Sequence, residues 1–207
     1  MRIGYNSDFR PFTWQDGEEA HGDLINICRE LLLKAEISAQ FVALELMSGQ
    51  LALQNGEIDA LVGIAISPHR KDRFLFSQPL IQTGGAWFVL MGTDWQDDLV
   101  LKGLQESQLA VTTPTGGPLL AEIKADFPAL NLTPCDDYNQ ALQLVVEGTV
   151  QAAALNIHVG TRMVTTQYPG CFRIPVAPFF HVALGIAVLP GDQSGMIDRI
   201  NCVMPGL

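Results

Sequence analysis

The chain has 207 residues, 48% hydrophobic and 16% charged, which is enough apolar material for a filled core and too much for a disordered chain. Its 22 acidic residues outweigh 12 basic ones, giving a formal net charge of −10, and no run of Lys or Arg occurs, which argues against a nucleic-acid-binding surface. No segment reaches the roughly 20 apolar residues that a spanning helix needs. Four cysteines (Cys28, Cys135, Cys171, Cys202) form no C-x-x-C pair and have no histidine at metal spacing, so no metal site is expected. Those four allow three disulfide pairings, or free thiols.

In chain order, residues 2–6 are expected to form a strand, and SDFRPFTWQDGEEAHG (7–22) a loop rich in turn formers and aromatics. Apolar spacing through Leu24, Ile27, Cys28, Leu31 and Leu32 predicts a helix over 23–35. A strand follows at 40–44, a short helix at 48–54 and a strand at 58–65. Ser67 fits a helix N-cap and Pro68 the first helical position, which places Arg70 in the first turn of a short helix. A cation is not favoured there by the helix dipole. Arg70 is either a solvated surface residue or an anion-binding group beside free main-chain N–H groups.

The apolar segment 83–92 (TGGAWFVLMG) reads as a strand. The second half repeats the plan: strand at 109–113, helix at 118–128, strand at 130–135, helix at 139–148, strand at 149–157. The segments 51–70 and 142–162 echo each other, with Gly56 and Gly148 placed as left-handed residues after a helix. A late strand at 182–192 and a short helix near 195–203 complete the chain. Alternating strands and helices predict an α/β fold with a largely parallel sheet. Two crossing strands, 83–92 and 182–192, would serve as a hinge. The expected lobes are 1–86 plus 187–207, and 87–186.

Several motifs fall in a characteristic order: D-F-R-P-F (8–12), Gly22, L-x-x-G-E-I-D-A (53–60), I-S-P-H-R (66–70) and F-S-Q-P-L (76–80). LAVTTPTGG (109–117), EGTVQAAALN (147–156) and VALGIAVLPGD (182–192) follow. Together they resemble the bacterial extracellular solute-binding proteins of the polar amino-acid type, family 3, over residues 2 to about 192. The resemblance implies a two-lobed, type II periplasmic-binding-protein-like fold with two hinge strands and a central ligand cleft. It implies capture of a small carboxylate-bearing solute, an amino acid or related organic acid, without catalysis and without a cofactor or metal. The implied partner is a membrane permease of an ABC importer, or a transmembrane signalling module of the protein's own, with the chain acting as an extracytoplasmic monomer. The start MRIGYNS has no leader pattern, and the C-terminus stops short of the final helix usual in transport-type members, so a domain cut from a longer protein is expected.

The resemblance also carries site residues. Arg70 matches the arginine that grips the ligand carboxylate, a bidentate task suited to a planar guanidinium. Phe9 matches the aromatic cover and Leu46 an apolar wall. Gly63 and Ala65 match positions presenting main chain, and often hydroxyls, to the ligand. Gly116 matches a residue whose N–H meets the carboxylate from the second lobe. Two departures stand out. Position 65 is alanine where Ser or Thr is common, and Asn156 replaces an aspartate that pairs with the α-ammonium. Either another acid, Asp8 or Asp137, replaces it, or the ligand lacks an α-amine. His69, His158 and His181 read as loop or hinge polarity, Arg73 as a surface residue in preference to a second cation near the site, and Trp14 and Trp87 as either cleft or packing aromatics. A dehydratase-like enzyme would need Asp8, Asp137 or His181 as its acid or base.

Overall fold

The computed structural model describes residues 1–45, 48–93 and 109–204. It falls into two compact units, Met1–Gln82 with Val182–Leu207, and Thr83–His181. Both divisions lie inside strands, Ile81–Phe88 and Phe180–Val188, and the boundaries expected from sequence fall a few residues further along the same two strands.

The first unit opens with β1 (Arg2–Asn6), whose Ile3, Gly4 and Tyr5 are all buried. Segment 7–22 is more than a loop. It holds a small antiparallel sheet of β2 (Asp8–Phe9), β3 (Thr13–Asp16) and β4 (Glu19–His21). Strands of two to four residues are too short to show alternation, which is why sequence hides them. The Thr13 hydroxyl, fully buried, donates to the Asn6 carbonyl at 2.7 Å and ties this sheet to the end of β1.

Helix α1 (Asp23–Lys34) buries Leu24, Ile25, Cys28, Leu31 and Leu32, with Ile25 in the core where Ile27 was expected. Burial pushes the Cys28 thiol up to about 12, so it behaves as a small apolar residue. All four cysteines are free thiols. The chain continues through β5 (Gln40–Leu44), α2 (Gly49–Gln54), β6 (Ala60–Ile66), α3 (Pro68–Lys71) and β7 (Leu75–Phe76). Strands β5, β1 and β6 are parallel neighbours in that order. Such pairing needs a crossover, and α1 and α2 supply the two.

The second unit contains β8 (Ile81–Phe88), β9 (Ala110–Pro114), α4 (Leu119–Asp126), β10 (Asn131–Cys135), α5 (Tyr138–Val146), β11 (Ala152–Asn156) and α6 (Ile157–Gln167). Its parallel strands run in the order β10-β9-β11, and β8 lies antiparallel to β11. Strand β11 shows why a doubly covered sheet reads as a continuous apolar run. Ala152 and Ala154 pack with Trp87, Leu119 and Ile123 on one face, while Ala153 and Leu155 pack with Phe88, Leu142 and Val145 on the other.

In β12 (Phe180–Val188) the chain returns to the first unit, where it pairs antiparallel with β6 and β7. Helix α7 (Met196–Val203) then buries Met196 and Ile200, and Arg199 donates to the carbonyls of Ala35 and Glu36 just beyond α1. The two units thus share one plan, three parallel strands with an antiparallel strand beside the third.

The echo seen in sequence has a structural counterpart. Gly56 (φ 71°) and Gly148 (φ 73°) each follow a helix in the left-handed conformation. Main-chain bonds Gly56 N to Leu53 O and Glu57 N to Ala52 O recur as Gly148 N to Val145 O and Thr149 N to Leu144 O. This is the Schellman arrangement, which uses up two orphan carbonyls at each helix end. No atom lies within 4 Å of a Cβ built at either glycine, so only backbone strain opposes a side chain there. Gly56→Ala and Gly148→Ala should each lower unfolding free energy by about 1–2 kcal/mol with unchanged m-value, as read by urea denaturation.

Candidate functional site

In the first unit the expected residues gather at the carboxyl end of β6. Gly63 has φ 82° and is the extra residue of a bulge, since Gly185 opposes Ile64 and Ile186 opposes Val62. A Cβ there would sit 3.3 Å from Leu24 Cδ1, in a conformation that disfavours any side chain. Ser67 is extended (φ −127°, ψ 157°) and Pro68 begins α3, as the sequence predicts, but the Ser67 side chain makes no capping bond. The main-chain N–H of Arg70 is not free either, since it donates to the Ser67 carbonyl at 3.1 Å. The expectation of free N–H groups beside Arg70 therefore fails at that residue.

The guanidinium itself folds back along the chain. Its Nη1 donates to the Ala65 carbonyl at 3.2 Å, leaving the other donors of the fork. Ala65 is buried, so it meets its surroundings through this carbonyl. Arg70 is half-buried, and among the described residues no carboxylate pairs with it. Burial lowers its pKa, and the charge of Arg73 lowers it further. It remains a cation, because guanidinium holds its proton throughout the working range. Partial burial and a neighbouring like charge thus both disfavour its charged form.

Phe9 lies on β2, half-buried, its ring 5.1 Å from that of Phe12. The backbone N–H of Asp8 donates to Asn6 Oδ1, while the Asp8 carboxylate is exposed. Trp14 is half-buried, with the Arg10 guanidinium 4.6 Å from its ring centre and the His21 ring stacked at 5.8 Å. Arg73 is exposed, in keeping with a surface role. Leu46 lies outside the described residues. A separate surface hollow of about 390 Å³, lined by Ile66, Lys71, Phe74 and Ser77 among others, contains none of the expected residues.

In the second unit, Gly116 occupies the turn between β9 and α4, half-buried. Asn156 ends β11 and caps α6. Its Oδ1 accepts from His158 N at 3.0 Å and Val159 N at 3.3 Å, and its Nδ2 donates to Thr83 Oγ1 at 3.0 Å. Register explains the last bond. Asn156 opposes Gly85 across β8, which brings Thr83, two residues away, within diagonal reach. Tyr138 bonds to the Asn156 main chain, and burial pushes its phenol up to about 12. Asp137 is exposed and caps α5, its Oδ1 accepting from Gln140 N at 2.8 Å. Trp87 is a packing residue, stacked 4.5 Å from Phe179 with Phe127 edge-on. Thr83 and Tyr138 carry no sequence signal of their own; only the pairing of β8 with β11 and the start of α5 bring them to Asn156.

His69, His158 and His181 are exposed. Among the described residues no group of three His, Cys, Asp or Glu is placed to hold a metal ion. No described helix is long and apolar enough to cross a membrane.

Residues 1–203 match the family model described as bacterial extracellular solute-binding proteins, family 3. No curated protein sequence matches. Among solved structures, an ancestral arginine-binding protein bound to arginine is 25% identical with a TM-score of 0.80, over 97% of this chain and 88% of that one. A protein from Wolinella succinogenes assigned as the binding component of an ABC transporter, complexed with lysine, is 20% identical with a TM-score of 0.82 (98% and 87% covered). The VFT2 domain of BvgS from Bordetella pertussis is 16% identical with a TM-score of 0.81 (99% and 87% covered). The fold is thus the α/β fold of periplasmic amino-acid-binding proteins, as the motif order implies.

The bonds of Asn156 set a stability test. Asn156→Ala removes a helix cap and leaves the Thr83 hydroxyl without its partner, so unfolding free energy should fall by about 1–3 kcal/mol. Asn156→Asp keeps the cap and lets the hydroxyl turn to donate, so urea denaturation should place it within about 0.5 kcal/mol of the parent.

Proposed function

Because the chain belongs to family 3 of the bacterial extracellular solute-binding proteins, we propose that it captures a small carboxylate-bearing solute, an amino acid or related organic acid, without transforming it. The observation that carries this reading is Arg70: a half-buried guanidinium with most of its donors uncommitted, a like charge nearby and no carboxylate partner among the described residues. Its planar fork suits a carboxylate, and relief of its buried charge favours the bound state. Phe9 and Leu46 would cover the apolar part of the solute. Main chain at Gly63 and Ala65 would supply polar contacts in the first unit, and Gly116 and Asn156 are the proposed polar positions of the second.

The proposed setting is outside the cytoplasm, as a monomer that delivers its solute to the membrane permease of an ABC importer. The lysine complex of the Wolinella protein supports this reading. The sensor reading, in which these two units regulate a transmembrane signalling module, draws support from the BvgS domain. Catalysis is not part of the proposal. Asp137 is occupied as a helix cap, and Asp8 and His181 are solvent-exposed, whereas an acid or base needs a shielded, positioned proton.

Arg70→Ala should weaken carboxylate binding by about 2–5 kcal/mol, roughly 30-fold or more, with the urea midpoint of the ligand-free protein unchanged or raised. Titration calorimetry with the best ligand from an amino-acid and organic-acid thermal-shift panel checks this. Undiminished affinity would remove Arg70 from the site and the reading with it.

A further inference from the structure

We propose that Arg73 steers a net-anionic solute toward Arg70 by its charge alone, without touching it. The inference rests on the capture reading above, adds a residue to it, and lies wholly within the first unit.

The stretch that follows β6 holds three of the chain's 12 basic residues, Arg70, Lys71 and Arg73, against one acid, Asp72. Among the described residues none of these three cations makes an ion pair. Lys71, Asp72 and Arg73 are exposed, whereas Arg70 is half-buried. Arg73 follows α3 one turn after Arg70, and its main-chain N–H donates to the Arg70 carbonyl at 3.0 Å. Its guanidinium lies 5.4 Å from the centre of the buried Phe74 ring, which holds the charge against a fixed surface. The two guanidinium groups are near enough for the charge of Arg73 to act on Arg70. Lys71 is placed differently, lining the apolar hollow with Phe74 and Ser77.

The sign of this cluster opposes that of the whole chain. A formal net charge of −10 repels an approaching anion and attracts a cation. For a cationic solute, exposed positive charges beside the carboxylate anchor would be an obstacle. For an anion they reverse the local field over the last part of the approach. Screening sets the reach, which is roughly 8–10 Å at physiological salt, so nearby cations dominate there over distant acids. In the free protein the charge of Arg73 works against Arg70. Toward an arriving anion the two charges act together. Exposure decides how Arg73 acts, because solvated ion pairs hold little energy and rim charges mainly change association rates.

The test is stopped-flow binding of glutamate, malate and 2-oxoglutarate to the wild type, Arg73→Gln, Arg73→Lys, Lys71→Gln and Arg70→Ala. At about 10 mM salt, where screening reaches ~30 Å, Arg73→Gln should slow association roughly three-fold and leave dissociation unchanged. That loss should shrink as salt rises and exceed the loss in Lys71→Gln. Arg73→Lys, which keeps the charge, should associate like the wild type, and Arg70→Ala should act on dissociation. Faster dissociation in Arg73→Gln would make Arg73 a contact residue and overturns the inference. So does an association rate that Arg73→Gln leaves unchanged, a loss that salt does not reduce, or one that Lys71→Gln matches or Arg73→Lys shares. A wild type that binds none of the three anions overturns it too, while capture of other carboxylates still stands. Binding undiminished in Arg70→Ala overturns the capture reading and the inference together.

Discussion

Parallel strand pairing is the constraint from which the rest of this structure follows. Strands β5, β1 and β6 in one unit, and β10, β9 and β11 in the other, all point their carboxyl ends the same way within their own sheet. Each return to the start of a neighbouring strand requires a crossover, so helices occupy the faces and only loops remain at the carboxyl ends. Phe9 follows β1, Ala65 and Arg70 lie at and beyond the end of β6, Gly116 follows β9, and Asn156 ends β11. Open α/β sheets bind ligands at such edges because main chain there is unpaired and side chains can vary without disturbing the core.

Within that frame the two units handle their polar groups in opposite ways. At β6, among the described residues, a charge has no carboxylate partner: Arg70 is turned back onto a carbonyl, an arrangement that neutralises nothing, and both its burial and Arg73 work against it. At β11 the chain leaves almost nothing uncompensated. Asn156 bonds on three sides, and Tyr138 bonds its main chain. A hydrogen bond nets about 1 kcal/mol, while an orphaned buried partner costs about 1–3 kcal/mol. The Asn156 network is therefore worth more to the fold than its individual bonds suggest. Arg70 is the reverse, a half-buried charge that its burial and the neighbouring Arg73 both disfavour.

That contrast also separates positions that can change function from those that mainly hold the fold. Cys28, Phe88 and Leu155 are wholly buried in apolar packing and do no polar work. Gly63 sits between the two classes. Its bulge bends β6 just before the Ala65 carbonyl, so a backbone feature chosen for conformation also decides where the guanidinium rests. Thr83 has a comparable double role, brought to Asn156 by sheet register.

Much of this was legible in the amino-acid sequence. The alternation of apolar runs with helical spacing set the α/β class, and most strands and helices follow it to within a few residues. Gly56 and Gly148 marked two helix ends because only glycine enters the left-handed region without strain. Arg70 stood out because Ser-Pro before it starts a helix, and the motif order gave the family. Local signals of this kind are complete in a few consecutive residues. The small sheet over 8–21 was not legible, because strands of two to four residues hold too few positions to show alternation. Nor were Ile25 in place of Ile27, the Ala65 carbonyl beneath Arg70, or the use of both ends of the Asn156 amide. Each of those depends on which groups from distant parts of the chain arrive within about 3 Å, and hydrogen-bond satisfaction is a property of that arrival. Sequence determined that position 156 lacks a charge; only the tertiary structure decided that it also lacks a free acceptor.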